Sequence, residues 1–264
     1  MTPDPLPARD DELMLALARF AALPRVVVAS DFDGVLAPLV DDPMSSRPLP
    51  GTMAALRELS TLPGTTVALV SGRGLGILAQ LTGVPPGSAI ALFGSHGGEG
   101  SLAGVGVALT GQQLADLREV TAALAQVVAD NPPARLERKP MASVLHTRGI
   151  DPLVAARAEA AAVAVGQARP GVEIMHGKDV VELAVARADK GSAVLGLAAS
   201  VGADAICYLG DDLTDESVFT RLGPADVGVK VGAGASAAAY RLPGPDAVPA
   251  LLATLAVRRL EAGG

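Results

Sequence analysis

The sequence predicts an α/β protein: a doubly wound parallel sheet carrying an inserted α+β cap domain. Three observations predict it. Short Val-rich strands alternate with helical stretches early in the chain. The middle changes to longer helices, each followed by a pair of short strands. The first pattern then resumes, so the chain divides into core at 1–104, insert at 105–186 and core again at 187–264.

Asp10 to Leu23 spaces Leu13, Leu17 and Phe20 along one helical face. The strand Arg25 to Ser30 follows and runs into Asp31-Phe32-Asp33-Gly34. Pro50 to Leu62 is helical, with Pro50 in its first turn. Thr65 to Val70 is a second β-branched strand and ends at Ser71-Gly72-Arg73. A helix from Gly74 to Thr82 leads to the strand Ala89 to Phe93. In the insert, a helix from Leu114 to Ala129 precedes strands Arg135 to Lys139 and Ser143 to Thr147. An Ala-rich helix from Asp151 to Ala168 precedes strands Val172 to Met175 and Val180 to Leu183. The core resumes with a helix from Asp189 to Val201, the strand Ala205 to Leu209, a helix from Thr214 and the strand Asp226 to Val231.

Composition narrows the function. The 264 residues are 50% hydrophobic but include no Trp, two Tyr and four Phe, so the core is built from Ala, Val and Leu. A net charge of -7 and few aromatics argue against a stacking or basic surface for nucleic acid. The lone Cys207, in an apolar run, excludes an internal disulfide and fits a structural thiol in a reducing compartment. The acidic start MTPDPLPARDDEL is unlike a basic secretory signal. Gly74 to Gly98, the longest stretch without Asp, Glu, Lys or Arg, is broken by Pro85-Pro86-Gly87, so no membrane span is expected.

Ligands of open α/β sheets bind beyond the carboxyl ends of the strands, and four polar groups fall at strand ends or helix starts. Asp31 and Asp33 follow the first strand two apart; one suits a nucleophile that forms an aspartyl phosphate and the other a proton donor and acceptor. Gly34 lets the chain turn sharply there. An ordinary acidic turn is the plain alternative. Ser71 and Gly72 offer a hydroxyl and backbone N–H groups to phosphate oxygens, or simply a helix cap. Lys190 opens a helix against the dipole preference, which points to neutralising phosphate, with an ordinary solvated lysine as the commoner case. Gly210-Asp211-Asp212-Leu213-Thr214-Asp215-Glu216 packs four carboxylates behind an apolar strand, where they repel unless a cation sits among them. Oxygen ligands and a phosphate substrate select Mg²⁺. An acidic first helical turn is the alternative, but it leaves the apolar strand unexplained.

In this order the residues resemble the four motifs of the haloacid dehalogenase superfamily. The resemblance implies a phosphatase with Asp31 as nucleophile and Asp33 as general acid/base. Ser71, Gly72 and Lys190 would hold the phosphoryl group. Mg²⁺ would be bound by Asp31, the Asp33 carbonyl oxygen and Asp211, with Asp212 and Asp215 in support. Further motifs resemble the trehalose-6-phosphate phosphatase family over nearly the whole chain: Gly94-Ser95-His96-Gly97-Gly98-Glu99, Glu137-x-Lys139 with His146-x-Arg148, Gly177-Lys178 with Glu182, and GDDLTDE. The likeness implies that His96, Glu99, Glu137, Lys139, His146, Arg148, Lys178 and Glu182 bind the sugar. Cross-strand salt bridging is the plain alternative for the cap pairs. Val35 stands where the superfamily often has Thr, and Ala184-Val185 replace a common Arg-Pro, which alters the return from cap to core. The implied reaction releases trehalose and phosphate from trehalose 6-phosphate, in a cytoplasmic monomer with no nucleic-acid or membrane partner. Rival readings are a phosphatase for sucrose phosphate or mannosyl-phosphoglycerate, a phosphosugar mutase, and a non-catalytic sugar-phosphate sensor. The sensor has no need for both Asp31 and Asp33.

Overall fold

A computed structural model of the chain describes residues 7–102 and 109–263. Two compact units emerge, one of Met1–Val107 with Asp189–Gly264 and one of Ala108–Ala188. The first unit starts with α1 (Pro7–Ala21), β1 (Val26–Ser30), α2 (Thr52–Thr61), β2 (Thr65–Val70), α3 (Leu75–Thr82), β3 (Ile90–Gly94) and the two-residue β4 (Glu99–Gly100). The second unit holds α4 (Gly111–Asp130), β5 (Arg135–Arg138), β6 (Ala142–His146), α5 (Pro152–Gln167), β7 (Glu173–Gly177) and β8 (Val180–Ala184). The chain then completes the first with α6 (Lys190–Val201), β9 (Ala205–Gly210), α7 (Glu216–Phe219), β10 (Val227–Val231), β11 (Tyr240–Leu242) and α8 (Val248–Gly263).

The first unit's sheet runs β11-β10-β9-β1-β2-β3-β4 and is parallel except for β4. Val26 of β1 pairs with Thr65 of β2 on one side and Ala205 of β9 on the other. The strand order therefore reverses at β1, and ligands of such sheets bind at the carboxyl ends beside that reversal. The unbroken Val run of β1 follows from burial on both faces. Val26 and Val28 pack with Leu17, Phe20, Leu56 and Leu252, while Val27 and Ala29 pack with Ala193, Leu197 and Phe219.

Two features depart from the sequence expectation. The helix expected from Thr214 starts two residues later and is only the four residues of α7; ahead of it Asp215 accepts the Asp212 N–H and Asp212 accepts the Asp215 N–H. Beyond β10 the chain adds β11 and α8, which the sequence reading did not identify. Leu251, Leu252 and Leu255 of α8 enter the core. Beside them the buried Arg259 donates to the carbonyls of Ala21, Leu23 and Pro63 and to Thr65 Oγ1.

The second unit is a four-stranded antiparallel sheet, β5-β6-β8-β7, whose one face packs Leu145, Val181 and Leu183 against Val120, Leu124, Ala158 and Ala162 of α4 and α5. A Thr110–Gln113 capping box starts α4, and Asp151 with Pro152 starts α5. No described helix is long and apolar enough to cross a membrane.

Candidate active site

The site forms where β1, β2 and β9 end. Asp31 continues the ladder one step past β1, its N–H bonding Leu209 O at 2.9 Å. Its carboxylate is 4% exposed; Oδ1 accepts from the Phe32 N–H at 2.6 Å and Oδ2 from Lys190 Nζ at 2.5 Å. Past it the chain turns tightly, with Gly34 N–H bonded to Ala37 O and Gly34 at φ 74°. A Cβ on Gly34 would lie 2.0 Å from Asp211 Oδ2, so glycine here also admits the Asp211 carboxylate against the backbone. Val35 is buried in the core.

Ser71 extends β2 in the same way, its N–H bonding Phe93 O. The neighbouring loop carries Ser95 and His96 at φ 50° and 56°, and the His96 N–H bonds Ser71 O at 2.9 Å. A Cβ on Gly72 would lie 2.6 Å from His96 Cε1, so this glycine lets the imidazole close over it. Glu99 receives the Ser95 hydroxyl and the Leu75 N–H, which braces this loop against the start of α3.

Lys190 opens α6, whose N-cap Asp189 bonds Ser192 N–H and pairs with Arg221. Its Nζ donates to Asp31 Oδ2 and, at 2.8 Å, to Asp215 Oδ1. Asp215 is fully buried, and its four contacts satisfy both oxygens: Lys190 and the Tyr208 hydroxyl on Oδ1, the Asp211 and Asp212 N–H groups on Oδ2. Lys230, from β10, is buried and donates to the Asp211 carbonyl.

These charges are unevenly satisfied. Burial pushes the Asp31 carboxyl above its ordinary value against the pull of Lys190, and the like charge of Asp215 adds to the rise. Burial, Asp215 and Asp212 push Asp211 up to about 6. Burial also works to raise Asp212, but hydrogen bonds from Thr214 and the charge of Lys190 hold it down at about 2. For Lys190 burial favours neutrality, yet Asp31 and Asp215 outweigh it and keep the ammonium charged.

A cavity of about 480 Å³ opens over these groups, lined by Asp31, Asp33, Ser71, Gly72, His96, Lys190, Asp211 and Asp212, with Arg73, Leu39 and Pro43 at its wall. Seven of the expected core residues thus share one cavity with His96, while Asp215 lies beneath it and Glu99 behind the His96 loop.

In the second unit, register and alternation put Glu137, Lys139, His146 and Glu182 on the sheet face opposite α4 and α5. They pair across strands, Lys139 Nζ with Glu182 Oε2 at 2.7 Å and His146 Nε2 with Glu137 Oε2 at 2.7 Å. Lys178 lies exposed in the β7–β8 turn and Arg148 exposed beyond β6.

A sequence model of the trehalose-phosphatase family matches residues 29–246, from within β1 to beyond β11. This chain belongs to the trehalose-phosphatase family. It is 31% identical over 255 residues to a trehalose-phosphate phosphatase of Mycobacterium ulcerans, covering 89% of this chain and 62% of that protein's length. Against a trehalose-6-phosphate phosphatase of Escherichia coli it is 33% identical over 223 residues, covering 82% and 81%. The solved trehalose-6-phosphate phosphatase of Aspergillus fumigatus shares the fold, with a TM-score of 0.63 at 23% identity over 94% of this chain and 97% of that one.

Trehalose phosphatases belong to the haloacid dehalogenase superfamily, and the family implies a divalent metal. The donors fit one. Carboxylate oxygens of Asp31, Asp211 and Asp215 lie within 4.8 Å of one another. Asp215 has its oxygens committed to four donors, so Asp31 and Asp211 carry the free lone pairs. They are also the carboxylates whose values burial and neighbouring carboxylates raise. Oxygen donors of this kind select a hard cation.

Sequence reasoning missed Arg73, Ser46, Tyr208 and Lys230. Arg73 closes a two-armed ion pair on Asp33, and Ser46 Oγ donates to Asp33 Oδ1 at 3.2 Å. Arg73 adjoined an identified motif, which was a signal; Tyr208 and Lys230 sit in apolar strands and gave none.

Proposed function

We propose that this chain hydrolyses trehalose 6-phosphate to trehalose and inorganic phosphate, with Mg²⁺ and through a phosphorylated Asp31. One observation carries the reading: a buried carboxylate on the cavity floor, held at 2.5 Å by Lys190, with Asp211 on one side and the Ser71–Gly72 turn on the other. Asp31 attacks phosphorus in line as the bond to the sugar oxygen breaks. Lys190, the Ser71 hydroxyl and the Gly72 N–H hold the phosphoryl oxygens. Asp33 gives a proton to the leaving oxygen, then takes one from the water that splits the Asp31–phosphorus bond and restores the carboxylate. Mg²⁺, when held by Asp31, Asp211 and the Asp33 carbonyl oxygen with Asp212 and Asp215 in support, supplies charge against the phosphoryl group.

The sugar is assigned to His96 and Glu99 and to Glu137, Lys139, His146, Arg148, Lys178 and Glu182. The shared polar face of four of these supports the assignment, since carboxylates and cations there can exchange partners for hydroxyls. The names of the relatives support trehalose 6-phosphate over other sugar phosphates. We place the protein as a cytoplasmic monomer, a setting that the lone buried thiol of Cys207 fits.

The test is phosphate release from trehalose 6-phosphate, sucrose 6-phosphate and glucose 6-phosphate, each with Mg²⁺ and with EDTA. Mg²⁺-dependent release from trehalose 6-phosphate alone is expected, and Asp31→Asn should abolish it. Equal release from all three would remove the specificity. An isomer without phosphate would make the protein a mutase, and binding without turnover a sensor.

A further inference from the structure

We infer that Arg73 is the positioning residue of the proton-transfer steps: it aims Asp33 and couples that aim to the loop of residues 39–46. The inference rests on the reaction proposed above. Arg73 Nε meets Asp33 Oδ2 at 2.6 Å and Nη2 meets Oδ1 at 2.7 Å, so both carboxylate oxygens are gripped in one plane. The fork is itself fixed. Nη1 donates to Pro43 O at 2.7 Å, and the guanidinium lies 5.7 Å from the centre of the Phe32 ring. From the same loop the buried Ser46 hydroxyl reaches Asp33 Oδ1.

With its inner N–H groups committed to Asp33 and Pro43, Arg73 is poorly disposed to bind phosphate, which has Lys190 and Ser71 beside Asp31. Its contacts serve orientation. A carboxylate on free rotors samples several wells, whereas proton transfer needs one geometry within hydrogen-bond reach of the reacting oxygen. Protonated Asp33 turns off one arm of the fork and delivers its proton to the sugar oxygen. The phosphorus–oxygen bond breaks as the Asp31–phosphorus bond forms, and its electron pair leaves with the proton as the neutral alcohol. As carboxylate, Asp33 then takes a proton from the water whose oxygen attacks phosphorus, and Asp31 departs as carboxylate.

The experiment compares kcat/KM for trehalose 6-phosphate and p-nitrophenyl phosphate with Mg²⁺. It uses wild type, Arg73→Met, Arg73→Lys, Asp33→Asn and the Asp33→Asn/Arg73→Met pair. This ratio counts only steps through departure of the leaving group, and nitrophenolate leaves without a proton whereas a sugar alkoxide does not. Arg73→Met is expected to lose on the order of 10–100-fold on trehalose 6-phosphate and about tenfold less than that on p-nitrophenyl phosphate. Arg73→Lys should restore little, because an ammonium has no fork. The paired variant should match Asp33→Asn alone within about twofold, as residues acting through one another do. Competitive inhibition by inorganic phosphate should hold within about threefold across the Arg73 variants.

Equal losses on both substrates, additive losses in the pair, or phosphate inhibition weakening in step would each overturn the inference and make Arg73 a scaffold or phosphate ligand. A wild type that cleaves p-nitrophenyl phosphate but not trehalose 6-phosphate would overturn the substrate instead, and the same comparison with glycerol 2-phosphate would then decide Arg73. A wild type that cleaves none of the three would overturn both.

Discussion

Replacing Lys190 with methionine removes one charge from the site floor and keeps most of its volume. The ammonium is 2% exposed and is shared by Asp31 at 2.5 Å and Asp215 at 2.8 Å. Without it those two carboxylates, 4% and 0% exposed, stay buried with no cation between them. Removing one partner from a buried pair costs about 3–5 kcal/mol. Tyr208 and two backbone N–H groups still satisfy Asp215, so the lower part of that range, about 3–4 kcal/mol, is expected at pH 8. For a chain of this size the loss corresponds to roughly 6–16 °C in Tm.

The assay is urea unfolding followed by circular dichroism, with EDTA present, at pH 8 and pH 5.5. Its pH dependence has a definite sign. The folded-state value of Asp31 lies above the ordinary carboxyl value, since burial outweighs Lys190. Such a group penalises the fold when charged, and the penalty fades as pH falls through the folded value. Losing Lys190 moves Asp31 further up, so the variant is relieved more than wild type and the gap narrows at pH 5.5. A difference under about 1 kcal/mol at pH 8, the worth of a solvent-exposed pair, would refute the reasoning. So would a gap that widens in acid.

Three further outcomes follow from the geometry. Gly34→Ala puts a methyl 2.0 Å from Asp211 Oδ2 at φ 74°, so Mn²⁺ binding measured by paramagnetic resonance should weaken about tenfold or more, while an unchanged affinity would remove Asp211 from the metal site. Added Mg²⁺ should raise Tm more at pH 8 than at pH 5.5, because Asp211, pushed up to about 6, must lose its proton to bind; an equal or reversed effect counts against it. Arg259→Met breaks four hydrogen bonds from α8 to the end of α1, the segments before β1 and β2 and the first residue of β2, so thermal unfolding should show a loss of about 2–3 kcal/mol with KM unchanged; a loss confined to KM would contradict this.

Much of the site was legible because parallel strands bring their carboxyl ends to one edge. Asp31, Ser71 and Asp211 each stand one residue past a strand, so recognising β1, β2 and β9 was enough to gather them. Lys190 was legible as a cation where a helix dipole disfavours one. Roles that depend on pairing were not. Arg73 reads locally as the residue after a Ser-Gly turn, and its partner stands 40 positions earlier. The acidic run GDDLTDE announced a cation site, but only the hydrogen bonds separate Asp215, committed to four donors, from Asp211 with lone pairs free. In α8 the helical spacing of Leu251, Leu252 and Leu255 was a usable signal. The inward Arg259 was not, because its acceptors are main-chain carbonyls that no side-chain pattern marks.

The charges around the cavity explain how a protein of net charge -7 can receive an anion. Five carboxylates, Asp31, Asp33, Asp211, Asp212 and Asp215, meet three cations, Arg73, Lys190 and Lys230, which leaves a deficit of 5 − 3 = 2 positive charges. The deficit is not spread evenly. Arg73 answers Asp33, while Lys190 is shared by Asp31 at 2.5 Å and Asp215 at 2.8 Å, with Asp212 farther off at 3.7 Å and held by Thr214; Lys230 donates to the Asp211 carbonyl rather than to its carboxylate. One ammonium between two carboxylates leaves Asp31 only partly compensated, no ion pair reaches the Asp211 carboxylate among the described residues, and burial raises both. A divalent cation at those two carboxylates closes the deficit where it stands. Under the reaction proposed above, a phosphate dianion arriving without that cation would face the uncompensated charge of Asp31, so substrate affinity as well as turnover should fall when EDTA removes the metal.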